Sequence, residues 1–282
     1  MHCGGMPWFP EFVSAAELAR AQLREEGHAD PVAQYLRALD TGDPRDLELV
    51  WPGDVVVHDP RVGEVHGHAE LREFARRNAS WLADHHAVVE TVATTTAGGR
   101  AVVELLTRVE DDEGRAVDWP VAVVAESPDD RSVVFRTYCS QWPVDGRRHV
   151  RPPVLPTSGV ALAGVVGRFQ KALAAGDVDA VMSTFADGAS LRESFGPHAA
   201  HRGIDELRAY VMRSLGAGGG IELDPCAVTE DGSRSAVEYT CVRWGDRELP
   251  PQAGLAVLER SDDDRLTAVR LYDDIEPPGE PR

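Results

Sequence analysis

Part of this chain returns 134 residues further on, and that return constrains the fold more than any other feature. "QYLRALDTGD" (34–43) is answered by "RFQKALAAGD" (168–177), each a short amphipathic helix ended by a glycine and an aspartate. "HGHAELREF" (66–74) is answered by "HRGIDELRAY" (201–210), a turn leading into a helix. "VVELLTRVE" (102–110) corresponds to "AVEYTCVRW" (236–244), and "FRTY" (135–138) to "VRLY" (269–272). The pairs 43/177, 59/193, 104/238, 136/270 and 138/272 share one offset, 134. Chance similarity does not hold one register across so many elements. A repeat of this length is a duplicated domain, not a solenoid.

The repeat sets the boundaries. A first unit covers 30–146 and a second 159–282, joined by "RRHVRPPVLPTS" (147–158), whose three prolines deny both helix and strand continuation. Residues 1–29 form an extension with one amphipathic helix expected at roughly 14–26. Within a unit the pattern reads helix, short helix, strand, helix and four long strands. In the first unit these strands fall near 88–96, 100–110, 116–126 and 131–142. Helices first and a meander after is an α+β pattern. Each unit should be a cone-shaped α+β barrel, its strongly curved mixed sheet folded around the helices and leaving a cavity.

Composition narrows the partners. A formal charge of −18 argues against nucleic acid and anionic membrane, which need a basic face. No apolar run approaches membrane-spanning length, and the N-terminus lacks the cationic start and apolar core of a signal peptide, so a cytoplasmic location is expected. The four cysteines (Cys3, Cys139, Cys226, Cys241) are scattered and read as free thiols. A single lysine, Lys171, stands against 28 arginines, which leaves no lysine phosphate loop and only one possible Schiff-base amine.

"GDVVVHDP" (53–60) is a valine strand that runs into a carboxylate, Asp59, with Pro60 ending the ladder. "QYLRALDTGD" precedes it, placing Tyr35 eight residues before Asp43 and Asp43 sixteen before Asp59. In this spacing each unit resembles the nuclear transport factor two-like superfamily, which includes ketosteroid isomerases, SnoaL-like polyketide cyclases and polyether epoxide-opening cyclases. The likeness covers about 30–146 and, more weakly, 159–276. Two units in one chain are also similar to the tandem epoxide-opening cyclases.

The resemblance implies roles. Asp59 would be a general base in an apolar pocket, where desolvation raises a carboxyl pKa toward the range useful for proton transfer. The plainer reading makes it the cap of the turn before Pro60. Tyr35 would donate toward a developing oxyanion, or else be a core tyrosine. In the second unit Phe169 replaces the tyrosine, Glu193 replaces the aspartate, and Asp273 stands at the position of Cys139. The first unit is therefore expected to be the working one. The isomerases' second acid falls here at Ala122; Asp118, four residues earlier on the same strand face, could stand in for it.

By the same parity the cavity face carries Ala122, Leu105, Thr107, Phe135, Thr137 and Cys139, which would contact substrate. The opposite face carries Glu104, Arg108, Arg136 and Tyr138. Glu104 and Arg136 recur as Glu238 and Arg270, and a buried Glu–Arg pair suits a sheet-to-sheet interface between the units, an internal pseudo-dimer able to stay monomeric in solution. Among the clustered histidines, His86 is the one placed to protonate an epoxide oxygen; no spacing suits a metal, and no cofactor is implied. The tryptophans Trp51, Trp81, Trp119 and Trp142 all fall in the first unit.

Two functions fit. The first is a cofactor-independent enzyme of bacterial polyketide-type biosynthesis, performing acid/base cyclisation, isomerisation or epoxide opening on a hydrophobic small molecule. The second is a non-catalytic tandem module that binds a ligand or a protein. An open apolar pocket with opposed polar groups favours the first, and a cone filled by side chains favours the second.

Overall fold

The computed structural model describes residues 30–275 apart from 112, 197, 198 and 217; the helix expected at 14–26 lies outside them. The first unit runs α1 (Pro31–Thr41), α2 (Arg45–Val50), β1 (Val55–Asp59), β2 (Gly63–His66), α3 (Gly67–Asp84), β3 (Val88–Ala97), β4 (Arg100–Glu110), β5 (Ala116–Glu126), β6 (Val133–Cys139) and α4 (Trp142–Asp145). The second runs α5 (Gly164–Ala175), α6 (Val178–Ser183), β7 (Phe185–Arg192), β8 (Ala200–Arg202), α7 (Gly203–Ser214), β9 (Ile221–Glu230), β10 (Arg234–Trp244), β11 (Arg247–Arg260) and β12 (Leu266–Tyr272). The order matches the sequence expectation except for β2 and β8, short strands expected only as turns, and for α4, a helical turn that begins where the last strand was expected to end. No helix of the described residues is long and apolar enough to cross a membrane.

The two "GD" motifs act alike. Gly42 (φ 72°) and Gly176 (φ 70°) end α1 and α5 in the left-handed conformation that favours glycine. The aspartate that follows starts the next helix: Asp43 accepts the N–H of Arg45 at 3.2 Å, and Asp177 that of Ala180 at 2.9 Å.

Each unit folds one six-stranded sheet, ordered β2-β1-β6-β5-β4-β3 and β8-β7-β12-β11-β10-β9. The sheets are mixed because β1 lies parallel to β6, and β7 to β12, across crossovers that contain helices. Bulges at Val92 and Cys226 break the ladders of β3 and β9, adding the local bend and twist that such bulges bring. The concave faces hold the helices, and each unit has its own apolar core.

The convex faces meet. Val102, Ala122, Val124 and Tyr138 of the first unit pack with Ala236, Leu255, Val257 and Tyr272 of the second. Two ion-pair clusters cross this seam reciprocally. Arg136 donates to Glu238 through Nε at 2.6 Å and Nη2 at 2.9 Å, and the Tyr138 hydroxyl adds 2.8 Å. Arg270 donates to Glu104 at 2.5 and 2.7 Å, joined by the Tyr272 hydroxyl at 2.7 Å. Each carboxylate is thus satisfied by a two-pronged guanidinium and a phenol, as a buried charge requires. The exchange of partners is that of a two-fold dimer written into one chain.

The offset of 134 is not constant. Glu104 pairs with Ala122 but Glu238 with Leu255, so β5 and β11 correspond at 133. Between these positions the β10–β11 hairpin is one residue shorter than β4–β5, the net of a shorter turn and a bulge, and Arg136/Arg270 on the next strands restore 134.

Candidate functional site

In the first unit Val55, Val57 and Asp59 are the buried positions of β1, so strand parity turns Asp59 inward. The hairpin to β2 then claims it. Its Oδ1 accepts the backbone N–H of Arg61 at 2.9 Å and of Val62 at 3.2 Å, an Asx turn. Tyr35 is wholly buried on α1 and stacked on Phe135, ring centroids 4.2 Å apart. Burial, and then the charge of Asp59, push its hydroxyl pKa up. Among the described residues nothing completes a hydrogen bond with that hydroxyl.

Leu105, Thr107 and Thr137 line a cavity of about 460 Å³ with Asp59. Phe135 sits behind them in the core, and Cys139 lines a groove at the seam. Arg61 enters the same cavity. Its Nη2 donates to Asn78 at 2.6 Å, and its guanidinium lies 4.3 Å over Trp81 and 5.6 Å from Trp119. The cone is therefore partly filled by a cation on two indoles.

Three expected positions are corrected. Ala122 faces the seam between the units, because β5 sets it opposite Glu104 and sets Val121 opposite Leu105. Directly paired antiparallel residues share a face, so Trp119, Val121 and Val123 are the cavity residues of β5. Asp118 shares the parity of Ala122 and pairs with Arg108 at 3.2 Å, outside the cavity. His86 lies on the exposed turn after α3 with φ 49°, 3.1 Å from Glu110 and away from the cavity lining.

The second unit gathers its polar groups differently. Phe169, Glu193 and Asp273 line one cavity of about 110 Å³ with Leu173, Val237 and Leu258. Tyr239 reaches from β10 across β11 and donates to Asp273 Oδ2 at 2.5 Å, while Ile275 N–H lies 3.3 Å from Oδ1. Burial pushes the Asp273 carboxyl up to about 6, against the lowering pull of Tyr239, the Ile275 N–H and Arg148. Burial and Asp273 together raise the Tyr239 hydroxyl well above its ordinary value. Opposite them, Glu193 Oε1 lies 2.8 Å from His201 Nε2, and His201 stacks on Tyr210 at 4.6 Å. The pocket so formed is apolar, with a protonatable carboxyl bonded to a phenol at one wall and a second carboxylate at the other.

The backbone makes room for this pair. Gly254 lies opposite Tyr239 on β11, where a Cβ would stand 2.5 Å from the tyrosine ring. Glu238 and Tyr239 are neighbours on one strand, so one secures the seam and the other enters the cavity.

Tyr239, Arg61 and Arg148 were not singled out from the sequence. The signal for Tyr239 was present: at the offset of 134 it replaces Leu105, as Asp273 replaces Cys139. The tyrosine and acid have moved from helix and first strand to the central strands.

A profile of the SnoaL-like domain matches twice, at residues 32–135 and 166–269. A proposed polyketide cyclase from Sinorhizobium meliloti is 20% identical, covering 41% of this chain and 99% of its own, with a TM-score of 0.34. A SnoaL-like protein of unknown function from Burkholderia thailandensis is 21% identical, covering 38% and 88%, with a TM-score of 0.32. An NTF2-like protein of unknown function from Cytophaga hutchinsonii is 14% identical, covering 39% and 87%, also at 0.32. No curated protein matches the chain.

Proposed function

The chain belongs to the SnoaL-like domain family, present twice, and from that premise we propose that its second unit is an acid/base enzyme for a hydrophobic small molecule. The observation that carries this reading is the Asp273 carboxyl, raised to about 6 inside an apolar cavity and bonded to Tyr239. A group with that pKa is present in both forms near neutrality, the condition for efficient proton transfer. As carboxylate, Asp273 takes a proton from an acidic C–H beside a substrate carbonyl. As carboxylic acid, it returns that proton elsewhere on the same molecule. The Tyr239 hydroxyl, donating at 2.5 Å, steadies the carboxylate before the first transfer and again after the second.

The proton is conserved over the cycle, so no oxidant or co-reactant is needed. Isomerisation and intramolecular ring closure both fit. Polyketide-type intermediates carry the necessary carbonyls and acidic C–H groups. Epoxide opening uses the same acid form and is the third member of the set.

The test is to delete the gene, identify the accumulated intermediate by mass spectrometry, and offer it to purified wild-type and Asp273→Asn protein. Conversion by the wild type and loss in the variant support the reading. Equal conversion by both would end it.

A binding role has its own support in the first unit. Arg61 occupies that cavity and Asp59 is engaged in a turn, as befits a unit that holds rather than transforms.

A further inference from the structure

Asp273 follows the last residue of β12, so the backbone around it has no strand ladder to hold it. Its support comes instead from the end of the first unit. Ser140 Oγ donates to Asp274 Oδ1 at 2.7 Å, and the N–H groups of Gln141 and His149 donate to Oδ2 at 3.1 and 2.7 Å. Arg148 Nη1 donates to the Ile275 carbonyl at 2.7 Å, and the Ile275 N–H in turn faces Asp273. Asp274 is buried with all these donors on it, although burial itself raises its pKa. The segment that reaches across is anchored at its own end, since Trp119 Nε1 donates to the Ser140 carbonyl at 2.7 Å.

We propose that residues 140–149, which run from the end of the first unit into the linker, are a positioning clamp for Asp273, with Ser140 and Arg148 as its two working side chains. The inference rests on the reading of Asp273 as the proton carrier. Two consecutive residues divide the work: Asp274 is gripped by the first unit, and Asp273 is thereby presented to the cavity of the second. Arg148 acts in two ways, fixing Ile275 and lending a positive charge at the cavity wall, where its guanidinium lies 4.2 Å over Phe195. The first unit thus has a part in the chemistry without touching substrate. A separate second unit starting at residue 159 would lack the clamp.

The titration of Asp273 reports on the clamp. The titratable and charged groups that face it are Tyr239 and Cys241 from β10, Tyr210 from α7, Asp274 beside it and Arg148 from the linker, with Glu193 on the lining of the same cavity. In the full-length chain, carbon-detected NMR of aspartate-labelled protein gives the Asp273 midpoint, its signal assigned by its loss in Asp273→Asn. Arg148→Gln removes a cation and should raise the midpoint by about half a unit or more. Arg148→Lys keeps the charge and should restore it. With the accumulated intermediate as substrate, Ser140→Ala should cost about ten-fold in turnover, with Ser140→Thr recovering most of it.

A midpoint unmoved in Arg148→Gln, together with full turnover in Ser140→Ala, would overturn the clamp. If Ser140→Ala fails to fold, the half-buried Arg148 variants decide on the midpoint alone. The clamp and the proton-carrier reading fail separately: full activity in Asp273→Asn removes the latter, whereas the midpoint shift judges the former.

Discussion

The two cavities of this chain share one fold and differ in where their polar groups stand. In the first, the tyrosine is on a helix and the acid at the end of the first strand, and a turn and an arginine have engaged the acid's surroundings. In the second, tyrosine and acid stand on or beside the central strands and bond each other in an otherwise apolar pocket. Their shared seam, by contrast, is nearly symmetric, with the same Glu, Arg and Tyr given by each side. The seam residues must match one another across a pseudo-two-fold, so both copies keep them. The cavities face no such condition and are free to diverge.

The largest effect should break the functional side of this contrast. Asp273→Asn is expected to lower turnover by ~10²–10⁴-fold. Its stability effect has the opposite sign. The folded pKa is raised from 3.8 to about 6, so the native state binds the proton more tightly than the unfolded chain. Stability from this group is present below pH 3.8 and is lost as pH rises through 6, amounting to about 3 kcal/mol. The Asn variant should therefore melt at or above the wild-type temperature at pH 7.5 and show a shallower decline between pH 4 and 6. Calorimetry across that range checks it, and an unchanged decline would remove the raised carboxyl.

The seam should respond to either half. Glu238→Ala strips buried Arg136 of its two-pronged partner and leaves it the partly exposed Glu126 at 2.9 Å, at a cost of ~3 kcal/mol. Glu104→Ala should cost less, because the side chain of Arg270 is 13% exposed against 2% for Arg136. Denaturant unfolding of both variants measures the difference. A markedly larger loss in Glu104→Ala would contradict the exposure argument.

Gly254→Ala probes the room beneath Tyr239. The added methyl must displace the ring, so we expect a loss of about 1–3 kcal/mol in stability and a weakened Tyr239–Asp273 bond. A crystal structure of the variant with that bond intact at 2.5 Å would refute it.

Asp59→Asn is the smallest. Asparagine keeps the acceptor that holds the Arg61 and Val62 N–H groups, so the change in stability should stay within about 0.5 kcal/mol. Turnover should change less than about two-fold. A hundred-fold loss would return the proton chemistry to the first cavity.

Much of this was legible in the chain itself. The strands of "VVELLTRVE" and "AVEYTCVRW", the glycine-ended helices, the linker and the seam residues Glu104, Arg136, Glu238 and Arg270 are all visible in the sequence. They depend on local periodicity and on repetition, which a sequence displays directly. Ala122 and Asp118 were misplaced for a different reason. A side chain's face depends on strand pairing, and a slip of one residue sends it to the other side of the sheet.

The sequence by itself determined that there are two units, that each is an α+β cone, and that their convex faces carry matching charges. Only the tertiary structure decided which acid stands in an apolar cavity with a phenol against it. Asp59 and Asp273 are both carboxylates at the ends of strands, and nothing in either local stretch separates them. The difference comes from distant residues: backbone N–H groups and a stacked arginine around one, a tyrosine 34 positions away and a clamp from the other unit around the other. A carboxyl pKa follows the dielectric and the donors that folding brings to it, and those contacts are made across the chain rather than along it.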